Sequence, residues 1–247
     1  MLTELTDSIL HRFAYETIAG ITILWFLFLY FGGGAIFMIT CRALCRKGYL
    51  EKIVPGDVSP RQRAFEIRHS LLSILIFGLS GLPLVWLVRQ GYIHLLPDTA
   101  WNIAWGLLVL TLWNEVHFFI VHRLMHTEWL MRHVHHVHHR SRIPTVWSVF
   151  SFHPLEAMLL STVPLTLVCC LPLAPACIVL FPLVSILLNF AGHANFRVGN
   201  GTGSKWTGFA TRHAGHHSGT HRSFGFASHL PDLVRDRNRK NLKKHEK

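Results

Sequence analysis

The sequence is short of charge, and most of all of acidic residues. Only 15% of its 247 residues are charged, half are apolar, and 13 acidic residues stand against 24 lysines and arginines. Soluble globular domains carry about 25% charged residues, so this composition excludes an ordinary soluble domain. The basic residues flank apolar segments and accompany no recognition motif, which argues against a nucleic-acid partner.

Cysteine pairs and nucleotide-binding motifs are also missing. The five cysteines form no C-x-x-C pair, so a disulfide framework is not expected. Cys41 and Cys45 lie beside the first apolar segment, where we expect small packing residues, with palmitoylation as the alternative. No dinucleotide-binding glycine pattern and no haem-attachment C-x-x-C-H is present, so electrons for any redox chemistry must come from outside the chain.

Long apolar segments are what the sequence has instead. A helix needs about 20 such residues to cross the hydrocarbon core of a membrane. The predicted spans are residues 18–40, 70–88, 100–121, 154–172 and 175–192, the last two forming a helical hairpin. No cleavage site precedes the first span, so we expect a retained anchor.

The distribution of positive charge predicts the orientation of these spans. If all five cross the membrane, the basic 41–69 loop, the histidine-rich loop and the basic tail share one side. Positive loops stay in the cytoplasm, so this side is predicted to be cytoplasmic and the N-terminus to lie outside. An endoplasmic reticulum membrane and a bacterial inner membrane fit equally.

The predicted fold is therefore all-α, an integral membrane helical bundle with a cytoplasmic histidine-rich metal-binding cap. We expect an anchor span and basic loop over residues 1–69, a catalytic domain over 70–226, and a basic tail over 227–247.

Histidine is over-represented, with 19 residues, of which all but four lie between His117 and His229 and nine fall in three short clusters. The clusters have the spacing H-x-x-x-H once and H-x-x-H-H twice. Residues three or four apart share one face of a helix, so their imidazoles can converge on one ion. His193, at the end of the last span, is a further candidate. The candidate metal ligands are His122, His126, His135, His138, His139, His193, His213, His216 and His217.

The number of candidate ligands favours a dinuclear metal site. A structural zinc needs only four ligands, and a weak metal-binding tract needs no ordered spacing. Imidazole binds zinc, copper, nickel and iron alike, but two adjacent redox metals can share the electrons that reduce dioxygen. We therefore predict two iron ions, with O2 as co-substrate.

Residues 70–226 resemble the fatty acid hydroxylase superfamily, which includes sterol desaturases and fatty acid hydroxylases. The resemblance rests on the three histidine clusters, on the segments 152–156 and 192–193, and on Ser223-Phe224-Gly225, where many relatives have Asn-Tyr-Gly. It implies that the nine candidate histidines bind two irons. It also implies that Glu115, seven residues before His122, orients an imidazole; simple pairing with Arg123 or Asn114 is the alternative.

The other histidines in this region do not match the family's spacing. His117, His133, His136 and His221 are expected not to be ligands. For His153, before Pro154, a structural and a catalytic role stay equally open.

The function implied by the resemblance is an oxygenase that hydroxylates or desaturates a C–H bond of a fatty-acyl or sterol-like lipid in lipid biosynthesis. The membrane lipid is the expected substrate, and an external redox protein docking on the basic face is the expected electron donor. The alternatives are a metal transporter and a non-catalytic membrane protein with a structural zinc or iron site. A transporter should carry polar residues at mid-membrane, whereas these histidines gather at one end of the spans.

Overall fold

The computed structural model describes residues 2–199 and 208–217, and within them the chain is mostly helical. The predicted tail over 227–247, the segment 223–225 and His221 lie outside the described residues. The helices are α1 (Leu2–Arg12), α2 (Tyr15–Leu27), α3 (Gly34–Arg46), α4 (Pro60–Ser80), α5 (Leu82–Arg89), α6 (Ala100–Met125), α7 (Glu128–Leu130), α8 (His136–His139), α9 (Pro154–Leu160), α10 (Val163–Val168), α11 (Pro175–His193) and α12 (Phe209–His217). Two π-helical segments (Phe28–Gly33 and Met131–His135), a 3-10 turn (Val146–Ser148) and the strands β1 (Leu50–Lys52) and β2 (Phe196–Val198) complete the described elements.

Four helical segments of the described chain are apolar and long enough to cross a membrane. They are Tyr15–Arg46, Pro60–Arg89, Ala100–Met125 and Pro175–His193. Each contains one predicted span. The second begins at Pro60 rather than at residue 70, because Ser59 caps the helix: its Oγ accepts from the Gln62 N–H at 3.1 Å, and Pro60 suits the first turn.

The fourth predicted span, residues 154–172, is wrong as a single spanning helix. The apolar stretch Pro154–Val168 is shorter than a spanning helix and is divided into α9 and α10. The division comes just before Pro164, which has no N–H to donate and whose ring would clash with the preceding turn of a continuous helix.

Each end of the bundle has its own set of contacts between segments of the chain. At the far end, the Leu96 N–H donates to the Leu173 carbonyl at 3.0 Å, and Asp98 accepts from the Ala176 N–H at 2.9 Å. At the opposite end, which we call the histidine end, β1 pairs antiparallel with β2. The chain therefore passes between the two ends in the predicted order, with α9 and α10 together making the short passage.

The core is aromatic towards the histidine end and mainly aliphatic towards the far end. Tyr30 and Phe190 are fully buried in the aromatic part, and Leu110 and Leu173 lie buried in the other. Burial of such side chains stabilises the fold by roughly 1.5–3 kcal/mol each. The Tyr30 hydroxyl also donates to the Trp147 carbonyl at 2.7 Å, so the first helical segment belongs to the same core as the later ones.

Gly78 allows α2 and α4 to approach each other closely. A Cβ at this position would contact the Ile23 side chain and lie 3.1 Å from the Ile23 Cα. We expect Gly78→Ala to lower the melting temperature of the detergent-purified chain by about 2–10 °C, because overpacking costs about 1–3 kcal/mol. Gly20→Ala is the matched control, since a Cβ on Gly20 meets nothing within 4 Å. Equal melting temperatures for Gly78→Ala and wild type would contradict this close packing.

Candidate metal centre

The first histidine pair lies on the last turns of α6. His122 and His126 are one helical turn apart, so both rings project from the same face, and their Nε2 atoms are 3.2 Å apart. α6 continues without a break to Met125, so His122 lies in its last turn and His126 is its C-cap. This pair is therefore fixed by one of the long helices of the bundle.

The second histidine cluster lies where the π-helical segment Met131–His135 continues into α8. His135 and His139 share a face, and their Nε2 atoms are 3.1 Å apart. His138 is next to His139 in sequence, but about 100° around the helix, so it points to a different group of imidazoles. Because of the local helical geometry, the histidines of this one cluster thus point in two directions.

The third cluster, on α12, repeats this division. His213 and His217 share a face, with Nε2 atoms 3.2 Å apart, and His193 at the end of α11 places its Nε2 3.0 Å from that of His213. His216 points the other way. Its Nε2 lies 3.0 Å from that of His122 on α6.

The nine predicted ligands therefore form two groups, and none of the nine is left out. In each group the ligand atoms lie within 4.8 Å of one another. The first group is His122, His126, His135, His139 and His216, and the second is His138, His193, His213 and His217. The two groups are in contact, since the ring centroids of His139 and His217 are 5.2 Å apart.

The geometry of both groups fits metal ions. Two nitrogen ligands that bind one ion at about 2.1 Å and at right angles are about 3.0 Å apart. The neighbouring Nε2 atoms are 3.0–3.2 Å apart in the first group and 3.0–3.2 Å apart in the second. Lone pairs of neutral imidazoles repel at such distances unless a proton or a cation lies between them, so the convergence suits cations.

The protonation states also favour metal binding. Burial lowers the pKa of His138, His213 and His217 well below the usual value, and the neighbouring imidazoles lower it further. Burial likewise lowers the pKa of His139 to about 2. These four rings are therefore neutral at pH 7, which is the form in which imidazole binds a metal.

A buried carboxylate that the sequence analysis missed orients one of the rings. The Nδ1–H of His135 donates to Glu156 Oε1 at 2.8 Å, and both side chains are at least 96% buried. This bond leaves the Nε2 lone pair of His135 facing the first group. Glu156 belongs to the quoted segment 152–156, but 21 residues separate it from His135, so helical spacing gave no sign of the contact.

The role predicted for Glu115 stays a prediction. It lies half-buried on α6, two turns before His122. A carboxylate that does contact a histidine of the centre is that of Glu156.

The histidines expected not to be ligands lie outside both groups wherever the structure describes them. The His117 ring is 2.9 Å from the Thr162 hydroxyl, and His133 and His136 are exposed at the surface. His153 has a structural role, because its Nδ1 accepts from the Leu155 N–H at 3.2 Å and caps the start of α9.

An apolar cavity of about 160 Å³ lies next to the two groups, with aromatic residues of its wall between it and the histidines. The Phe118 ring in its wall lies 4.9 Å from that of His122, and the Phe152 ring lies 4.9 Å from that of His138. The cavity runs from there between the helices to Leu84 and Phe181 in the aliphatic part of the core. A hydrocarbon chain in this cavity would therefore approach the histidines from the apolar side, with the Phe118 and Phe152 rings between them.

The comparison with protein families gives one match. The family model described as fatty acid hydroxylase matches residues 107–235, just over half of the chain. The matched range includes all nine histidines and Glu156. No solved structure matches the chain.

Curated relatives are similar over part of the chain. It is 27% identical over 135 residues to a Delta(7)-sterol 5(6)-desaturase of Aspergillus fumigatus, a match that covers 53% of this chain and 39% of that protein. It is 30% identical over 96 residues to sphinganine C4-monooxygenase 2 of Arabidopsis thaliana, covering 38% of this chain and 35% of that protein. The chain thus spans less than two fifths of the length of these relatives.

If Glu156 orients His135 towards a metal, its removal should weaken metal binding. We expect Glu156→Ala to lower metal affinity by about 10–100-fold, and Glu156→Gln to lower it less, because an amide oxygen still accepts the Nδ1–H bond. Metal retained during titration with a chelator measures this. Glu128→Ala is the control, since Glu128 is exposed and pairs only with Arg132 on the neighbouring turn. Unchanged metal retention in Glu156→Ala would show that His135 needs no such partner.

Proposed function

The chain belongs to the fatty acid hydroxylase family, and from this premise we propose that it is a membrane-bound, O2-dependent di-iron oxygenase that hydroxylates or desaturates a C–H bond of a lipid in lipid biosynthesis. One observation carries the proposal: two groups of converging histidines lie one aromatic side chain away from an apolar cavity inside a bundle of membrane-length helices. The relatives named for sterol desaturation and for sphinganine hydroxylation support this class of reaction.

In this proposal the nine histidines hold two iron ions, His122, His126, His135, His139 and His216 binding one and His138, His193, His213 and His217 the other. Iron bound there would supply the activation of dioxygen. Zinc also fits imidazole ligands, but it has no redox chemistry with which to reduce O2. The chain's own residues orient the ligands: Glu156 accepts from His135, and the Asn189 carbonyl accepts from the Nδ1–H of His193 at 2.9 Å.

The apolar cavity is the proposed site of the substrate's hydrocarbon. A cavity of about 150 Å³ holds a single benzene-sized ring. The volume here, about 160 Å³, suits a narrow alkyl chain better than a fused sterol ring system. We therefore propose a fatty-acyl or other membrane lipid, with a sterol as the less fitting alternative.

Either outcome of the reaction needs two electrons from outside the protein. Hydroxylation combines a C–H bond, O2, two electrons and two protons to give an alcohol and one water. Desaturation uses the same reactants to remove two hydrogens from adjacent carbons and gives two waters. We propose an external redox protein with an acidic surface as donor, docking on the exposed arginines of the histidine end. They are Arg61, Arg68, Arg123, Arg132 and Arg140.

The orientation and organisation of the chain are part of the proposal. We propose a multi-pass protein of the endoplasmic reticulum or of a bacterial inner membrane, with its histidine end in the cytoplasm, where the excess of basic residues belongs. Residues 70–226 would form the catalytic region, residues 1–69 a span and loop packed on it, and residues 227–247 a basic tail.

The oxygenase proposal is tested with lipid and oxygen. The purified protein, given ferrous iron, a chemical reductant and a total lipid extract, should hold about two irons and show lipid-dependent oxygen uptake. His138→Ala should lower this uptake at least about 100-fold, because it removes a ligand, a larger loss than removal of a ligand's partner. His136→Ala, two residues away and exposed, should leave it unchanged. With 18O2, a labelled lipid alcohol would indicate hydroxylation, and an unlabelled new double bond desaturation.

Two results would overturn the oxygenase proposal. Equal oxygen uptake in both variants would show that the predicted ligand histidines take no part in the reaction. Bound zinc without oxygen uptake would favour a non-catalytic protein with a structural metal.

The proposed orientation is tested by labelling single cysteines in a cysteine-free background. Tyr49, at the histidine end, is 65% exposed, and Tyr92, at the far end, is 72% exposed. With the chain expressed in a bacterial inner membrane, a membrane-impermeant maleimide added to intact cells should label Tyr92→Cys and should label Tyr49→Cys only after lysis. The reverse pattern would place the histidine end outside the cytoplasm.

A further inference from the structure

A second cavity lies at the outer edge of the histidine end, apart from the apolar cavity. Its volume is about 360 Å³, and its walls are α3, the loop between β1 and α4, the loop 143–147, and residues 194–196 after α11. No residue lines both this cavity and the apolar cavity, and none of the nine histidines lines it. It is therefore a separate feature of the described chain, and the oxygenase chemistry does not use it.

The charge of this cavity is positive. Arg42, Lys52 and Arg63 line it together with a single acidic residue, Asp57. Lys52 pairs with Asp57 at 3.0 Å, whereas Arg42 and Arg63 form no ion pair with any residue in the described part of the chain. Three positive charges against one negative charge leave two guanidinium groups available to an anion.

The three basic residues of the cavity all act on the carboxyl group of Asp57. Lys52 lowers the pKa of the Asp57 carboxyl through a hydrogen bond and its charge, and the charges of Arg42 and Arg63 lower it further. Both arginines are thus close enough to Asp57 for their charges to act on its carboxyl group across an exposed loop. An anion in the cavity would be attracted by the same cations. No acidic side chain of the described residues pairs with Arg42 or Arg63 to offset their charge.

The apolar wall of the cavity continues onto the surface of a membrane-length helix. Ile39 lines the cavity one turn before Arg42 on α3, and Ile36 lies a further turn away. Both isoleucines are largely exposed, at 65% and 67%. An aliphatic strip therefore runs along the helix and ends at the guanidinium group of Arg42. The acyl chain and the phosphate of a phospholipid follow each other in the same order.

The loop that forms the floor of the cavity is held in place. The Asn195 side chain accepts from the Val54 N–H at 2.9 Å and donates to the Val54 carbonyl at 3.0 Å. Asn195 itself has a φ of 61°, a left-handed conformation that Asn tolerates better than most residues. The pairing of β1 with β2 fixes the same two segments, so the cavity is built before any ligand arrives.

From this arrangement we propose that the cavity binds the head group of an anionic glycerophospholipid, with its phosphate between Arg42 and Arg63 and one acyl chain along Ile36 and Ile39. Basic pockets between membrane helices recognise anionic lipid head groups in this way. Guanidinium groups suit the task because they bind phosphate oxygens in a fixed, bidentate geometry. The proposal requires a membrane location and does not require the oxygenase reaction.

The proposal is tested by lipid binding to the purified full chain in a neutral detergent. Native mass spectrometry should show tighter binding of phosphatidylglycerol than of phosphatidylcholine with the same acyl chains. The double variant Arg42→Gln/Arg63→Gln should bind phosphatidylglycerol at least about tenfold more weakly, since each basic residue near a lipid surface contributes about 1 kcal/mol. Arg61→Gln/Arg68→Gln, which removes the same charge from α4 outside the cavity, should bind like wild type.

A third variant distinguishes lipid binding in the cavity from attraction of the lipid by general surface charge. Ala35→Leu keeps every charge and fills part of the apolar wall, so it should also weaken phosphatidylglycerol binding. Equal weakening in both double arginine variants, or unchanged binding in Ala35→Leu, would overturn the cavity as the lipid site. Inorganic phosphate that competes at micromolar concentration would indicate a free phosphate site instead of a lipid site. Because no activity is measured, failure here leaves the oxygenase proposal untouched.

Discussion

The convergence of imidazole nitrogens at one end of the bundle is the constraint on which the rest of this structure depends. Neighbouring Nε2 atoms are 3.0–3.2 Å apart, and the burial that brings them together also keeps the rings of His138, His139, His213 and His217 neutral. Neutral lone pairs at that distance repel, and buried polar atoms without partners are costly. A bound cation would remove both penalties, so metal binding and the folding of this end would belong to one equilibrium.

The bundle supports the convergence from outside the histidine clusters. The Ser70 hydroxyl on α4 and the Tyr30 hydroxyl both donate to the Trp147 carbonyl, and Glu66 on α4 accepts from Thr145 at 2.6 Å. These bonds fix the loop that connects α8 to α9, and with it the place where Glu156 meets His135. Helices remote from the histidine clusters in sequence therefore help to hold the loop that leads to Glu156.

The sequence predicts the parts of this arrangement that arise from local spacing. Apolar length predicted four of the helices, and helical spacing allowed imidazoles three or four residues apart to converge, because both follow from the geometry of one helix. In the structure the pairs four apart share a group, whereas His135 and His138, and likewise His213 and His216, belong to different groups. Which rings from other helices complete each group depends on the packing of the helices and could not be predicted from spacing. The Glu156 contact is long-range for the same reason. By contrast, the Ser59 cap and Pro164 were visible signals that a count of apolar residues overlooked.

The element α12 shows most clearly how folding and binding are linked. It has nine residues, too few for an isolated helix to be stable in water. It packs against α11 and β2. The absence of a side chain at Gly192 on α11 admits the Phe209 ring, since a Cβ there would lie 2.9 Å from it. Three of its nine residues are histidines whose nitrogens face those of α6 and α11. A metal bound by His213, His216 and His217 would therefore contribute most to α12, and the position of α12 in turn determines whether both histidine groups are complete.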